Sequence, residues 1–105
     1  MEVEFEEDSY DRLETDATFT AGFDRAIVSL YRKRLHLIRS LTDERELQAL
    51  KSLGFEKLKG NEHNWYSIQL NAHACLIVQL RRESKDRTIR VIKIENHYPQ
   101  PPETK

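Results

Sequence analysis

Residues 65–94 read WYSIQLNAHACLIVQLRRESKDRTIRVIKI. Three β-rich runs, WYSIQL, ACLIVQL and TIRVIKI, are separated by NAH and by RRESKDR. Both links are short enough for hairpins, so the stretch predicts three antiparallel strands in chain order. Just upstream, FEKLKG alternates in part and GNEHN reads as a loop. Downstream, residues 99–105 are rich in proline, which cannot join a ladder, and they read as a mobile tail.

The period changes on the N-terminal side of Gly54. In ATFTAGFDRAIVSLYRKRLHLIRSL, residues 17–41, Phe23, Ile27, Leu30, Tyr31, Leu35 and Ile38 fall at helical spacing. The other faces carry Arg25, Arg32, Lys33, Arg34 and Arg39, giving a long amphipathic helix with a basic outer side. Thr42 is placed to cap a second helix whose first turn holds Asp43 and Glu44. Leu47, Leu50 and Leu53 give that helix an apolar edge, and Gly54 is placed to end it. Only two residues join the helices, which predicts a helical hairpin. Before them, DSYDRLETD reads as a turn or a single helical turn, and EVEF as a short strand with Val3 and Phe5 on one face. The expected fold is α+β: an N-terminal strand, then a two-helix hairpin packed on a small antiparallel sheet. Residues 1–98 form one domain in this reading.

A chain of 105 residues with 38% hydrophobic and 33% charged residues builds one small core under a charged surface. The single cysteine excludes an intramolecular disulfide framework and suits a reducing, cytoplasmic setting. No apolar run approaches a membrane span, and the acidic start is unlike a secretory signal. Charge is unevenly spread: residues 1–16 carry a balance of −7 and residues 17–105 a balance of +6. A basic body suits phosphate-bearing partners, and the acidic segment is available to screen it.

At FEKLKGN, WYSIQLN and IRVIKIENHYP the chain resembles toxins of the bacterial RelE/ParE superfamily, close to the HigB or plasmid-maintenance killer branch. The segment LETD followed by FTAGFDRAIVSLYRKRLHLIR carries the likeness into the N-terminal half, so that it spans roughly residues 2–98. The resemblance implies a RelE-like fold and the toxin of a type II toxin–antitoxin pair. Many members bind the ribosome and cut mRNA there, and ParE-like members inhibit DNA gyrase instead. The implied partners are a helix-turn-helix, HigA-like antitoxin, the ribosome and mRNA, with no membrane.

Cleavage of RNA in this way needs a base for the 2′-hydroxyl proton, an acid for the leaving 5′-oxygen and cations for the phosphate. It needs no metal and no cofactor. The resemblance assigns proton transfer to Glu56, His97 and Tyr98. The HY order of His97 and Tyr98 matches YoeB-like relatives, whereas HigB-like relatives reverse it. Lys57 and Lys59, two apart on one strand, are candidate phosphate ligands. Relatives also carry two arginines where this chain has Gln69 and Cys75. Neither residue offers a fixed cationic fork, so Arg81, Arg82 and Arg90 are the candidates to compensate. An attenuated toxin acting through antitoxin binding and autoregulation therefore stands beside the nuclease and the gyrase inhibitor. Cys75 itself, inside an apolar run, reads as a buried core thiol. Trp65 and Tyr66 read as packing between sheet and helices. The four histidines, His36, His63, His73 and His97, show no metal-ligand spacing.

Overall fold

The computed structural model describes residues 1–58, 64–81 and 88–96. Most of GNEHN and of the RRESKDR link lies outside the described residues, as does the expected tail. The chain forms β1 (Glu2–Phe5), α1 (Asp8–Thr15), α2 (Arg25–Ser40), α3 (Glu44–Ala49), a 3-10 turn (Lys51–Leu53), β2 (Glu56–Lys57), β3 (Trp65–Asn71), β4 (Ala74–Arg81) and β5 (Thr88–Asn96). The five strands make one sheet in the order β1-β5-β4-β3-β2. The pairs from β2 through β5 are antiparallel, as the hairpin links predict. β1 pairs with β5 in parallel, so the sheet is mixed.

The helices cover one face of this sheet. Alternation sends Tyr66, Ile68 and Leu70 of β3, and Ala74, Leu76, Val78 and Leu80 of β4, into the core with Ile89, Val91 and Ile94 of β5. Ile27, Val28, Tyr31, Leu35 and Ile38 of α2 meet them there, so the stripe read from the sequence is the buried one. α2 starts later than the apolar period suggests. Ala21 and Gly22 both have positive φ, and the Asp24 carboxylate accepts from the Ala26 N–H to cap the helix. Phe23 then packs on the core from the preceding loop.

α1 is longer than the turn expected from DSYDRLETD. It spans eight residues, and its Leu13 is fully buried. It also packs against α2. The Tyr31 hydroxyl donates to the Tyr10 carbonyl at 2.8 Å, and burial drives its pKa far above the ordinary tyrosine range. Arg32 donates to the carbonyls of Leu13 and Asp16, and Arg39 makes two 2.8 Å bonds to Glu14. Part of the basic side of α2 is thus an internal clamp. The helix expected after Thr42 is short and is finished by the 3-10 turn. Asp43 caps it instead, while the Thr42 hydroxyl donates to Glu46. Gly54 ends the turn in the left-handed region at φ 58°, as its position predicts. No helix among the described residues is long and apolar enough to cross a membrane.

Candidate functional site

On the face of the sheet turned away from the helices, called here the open face, the side chains fall into rows across the strands and are exposed or half-buried except for the buried Ile77. One row runs Gln69, Cys75, Glu95. The next runs Glu56, Ser67, Ile77, Lys93. The third runs Trp65, Gln79, Arg90, Glu4, and the fourth Arg81, Thr88, Glu2. β5 keeps this order only because Ile92 is an extra residue: Ile77 pairs with Lys93 and Val78 with Val91.

At the β2–β3 side of the first two rows lies a shallow cavity of about 140 Å³, lined by Glu56, Ser67, Gln69, Asn71 and Cys75 together with Gly54. Gly54 is there for a steric reason as well as its φ. A Cβ at that position would lie 3.3 Å from Gln69 Cβ and from its Oε1. The Gln69 amide donates to the Asn71 carbonyl, and Arg34 reaches from α2 to donate to the Gln69 carbonyl at 3.1 Å. The Asn71 side chain accepts from the His73 N–H, closing the β3–β4 turn beside the cavity.

Gln69 and Cys75, singled out in the sequence as neutral residues at cationic positions, are direct cross-strand partners. Cys75 is not a core thiol. The even residues of β4 point into the core, and Cys75 stands half-buried on the open face. Burial and the neighbouring Glu95 carboxylate push its pKa up, against a smaller opposing effect of Lys93. The thiol is therefore held neutral, and it is a weak nucleophile at neutral pH. The two aromatic residues also divide. Tyr66 joins the core and stacks on Phe55 at 4.6 Å, whereas Trp65 stands half-buried on the open face.

Of the sequence-predicted site residues, Glu56 is exposed at the rim of the cavity. Lys57, the next residue of the strand, is exposed on the opposite side. Arg81 and Arg90 share the open face with Glu56 but not its neighbourhood. Arg81 lies six residues along β4 from Cys75, about 20 Å at a strand's rise. Arg90 sits one row from Glu56 and three strands over, about 16 Å away. Each guanidinium meets a carboxylate of the N-terminal segment: Arg81 meets Glu4 and Arg90 meets Glu6, both at 2.8 Å. Lys59, Arg82, His97 and Tyr98 lie outside the described residues. Ser67, Asn71 and Glu95 were not singled out in the sequence, although period two from Gln69 and Lys93 reaches all three.

A larger cavity of about 590 Å³ lies on the helical side, beside Thr18, Thr20, Arg25, Ser29, Arg32 and Lys33. No carboxylate or imidazole lines it, so it offers no group for proton transfer at neutral pH. No set of three or more histidine, cysteine or carboxylate side chains among the described residues is arranged to hold a metal ion.

No family model matches the chain, and no curated protein matches it. Among solved structures it is similar to the YoeB/ParE toxin from Agrobacterium tumefaciens, at 20% identity and a TM-score of 0.59. That likeness covers 93% of this chain and 100% of the other. It establishes the fold as RelE/ParE-like: an N-terminal strand, two main helices and a five-stranded mixed sheet.

Proposed function

We propose that this chain is the toxin of a type II toxin–antitoxin pair and cleaves mRNA on the ribosome. The observation that carries the reading is a carboxylate, Glu56, at the rim of a cavity on the open face of a RelE/ParE-like sheet. In this reading Glu56 takes the 2′-hydroxyl proton as the 2′-oxygen attacks phosphorus. His97 and Tyr98 supply the proton that leaves with the 5′-oxygen. The bound RNA strand would cover Glu56, which is exposed in the chain alone. A helix-turn-helix antitoxin of the HigA type is the proposed partner, the cytoplasm the proposed setting and the HigB branch the proposed relation.

A specific observation favours a second reading. Gln69 and Cys75 face one another in the cavity, and neither can carry positive charge. The described open face therefore brings no cation into the cavity, as would suit a protein that binds its target without cutting it. Primer extension on mRNA from translating ribosomes separates the two. The nuclease reading expects new 5′ ends that need the ribosome, and a loss of about 10²-fold or more in Glu56→Gln. Folded protein that arrests growth without producing such ends would overturn it in favour of binding alone.

A further inference from the structure

The cavity of about 590 Å³ on the helical side is built along one row of α2. Arg25, Ser29 and Lys33 recur at every fourth residue, so they share one side of the helix over about 12 Å. Arg25 and Lys33 are exposed and meet no carboxylate among the described residues. The hydroxyls of Ser29 and Thr20, which also line the cavity, make no hydrogen bond among the described residues.

Arg32, the third cation of the lining, is fixed in place. Its Nε donates to the Leu13 carbonyl at 2.9 Å, and one Nη donates to the carbonyls of Asp16 at 3.0 Å and Phe19 at 3.4 Å. The other Nη makes no hydrogen bond among the described residues. A guanidinium already held by backbone keeps donors to spare and loses little freedom when a ligand arrives. The acids nearest in the chain are engaged elsewhere. Asp16 accepts from Thr18 and lies 3.5 Å from Arg12, and Asp24 accepts from the Ala26 N–H. Neither lines the cavity.

Three cations with spare hydroxyls and no lining carboxylate make a concave surface for an anion. Charge alone would suit an acidic peptide as well as a phosphate, and the walls separate the two. The apolar lining among the described residues is Ala17 and Val28, and Val28 is only 3% exposed. A docked peptide needs an apolar anchor seated in a pocket, whereas a phosphate needs only donors and positive charge.

We propose that this cavity binds a phosphate-bearing ligand, with Arg25, Arg32 and Lys33 as its cations and Ser29 and Thr20 as further donors to phosphate oxygens. The site lies on the other side of the sheet from Glu56 and stands apart from the nuclease reading. A free polyphosphate and the backbone of an RNA strand offer the same chemistry, and two probes tell them apart.

The first probe is tripolyphosphate, titrated calorimetrically into the full chain. Arg25→Gln with Lys33→Gln is expected to weaken its binding by about tenfold or more, the scale of two charge-assisted hydrogen bonds. Arg25→Lys with Lys33→Arg keeps both charges and is expected to retain binding, which separates lost charge from lost folding. A control pair, Arg45→Gln with Lys51→Gln, removes two exposed cations away from the cavity and is expected to leave binding near that of the parent. The second probe is a labelled oligouridylate, followed by fluorescence anisotropy across a potassium chloride series. There Arg25→Gln with Lys33→Gln is expected to lower the slope of log affinity against log salt by about 1.4, from roughly 0.7 for each lost phosphate contact. A response with tripolyphosphate alone assigns the site to a free polyphosphate, and one with the oligouridylate alone assigns it to an RNA backbone. The site is overturned if neither probe responds to the loss of Arg25 and Lys33, or if the control pair weakens binding as much. It is also overturned if an oligoglutamate binds there as tightly as either phosphate probe.

Discussion

At the scale of single residues, the cavity is defined by three positions with different physical reasons. Gly54 tolerates its left-handed backbone and leaves room for Gln69 at 3.3 Å, which a side chain would take away. Gln69 and Cys75 fill the floor as an amide and a neutral thiol. Cys75→Arg tests whether the missing charge limits chemistry, because the longer side chain brings a guanidinium to the cavity from the same strand position. On the nuclease reading proposed above, single-turnover cleavage on ribosomes is expected to rise by up to about 10²-fold, the scale associated with one donor to a developing anion. Cys75→Ser is expected to leave the rate near that of the parent. No response to Cys75→Arg would mean that the scissile phosphate does not sit in this cavity.

At the scale of elements, the unexpected part is α1. DSYDRLETD is dominated by charge, and only Tyr10 and Leu13 mark a buried side, so local pattern did not reveal a full helix. Its role is visible only in three dimensions. β5 runs on past the end of β1, and the Tyr10 hydroxyl accepts from the Ile94 N–H at 3.1 Å. The Tyr10 carbonyl meanwhile accepts from Tyr31 on α2. α1 thereby ties the main helix to the last turns of β5, next to the Gln69–Cys75–Glu95 row. Tyr10→Phe removes the acceptor of a part-buried N–H and keeps the ring. It is expected to lower stability by about 1–2 kcal/mol in a urea titration. Amide exchange at Ile94 should accelerate by more than that global loss explains.

At the scale of the whole molecule, charge is organised by the chain's path. The acidic N-terminal segment returns to the basic strands, and carboxylates also fasten the helix junctions. Asp16 is held below the ordinary carboxylate range chiefly by the Thr18 hydroxyl, Asp43 by Arg45 and Glu46 by Thr42. Each depressed folded-state pKa contributes stability that is present above the unfolded value and lost as pH falls through the folded one. The urea midpoint is therefore expected to be nearly flat from neutral pH down to about 5, then to fall below about 4. Asp43→Asn combined with Glu46→Gln should flatten that acid decline. A midpoint that falls no more steeply in the parent than in the variant would show that these caps are not the linked groups.

The sequence by itself determined the α+β class, the three long strands, the buried stripe of α2 and the stop at Gly54. Each depends on period, capping or turn chemistry within a few residues. The open face of β3 was legible too, since Ser67, Gln69 and Asn71 alternate with Tyr66, Ile68 and Leu70. On β4 the same logic failed. ACLIVQL is apolar almost throughout, so nothing local says that Cys75 and Ile77 point away from the core. Tertiary structure alone decided the parallel pairing of β1, the bulge at Ile92 and the meeting of Glu4 and Glu6 with Arg90 and Arg81. Glu4 and Arg81 are separated by 77 positions in the chain. Contacts at that distance depend on strand order and register, which arise from packing the whole sheet against its helices.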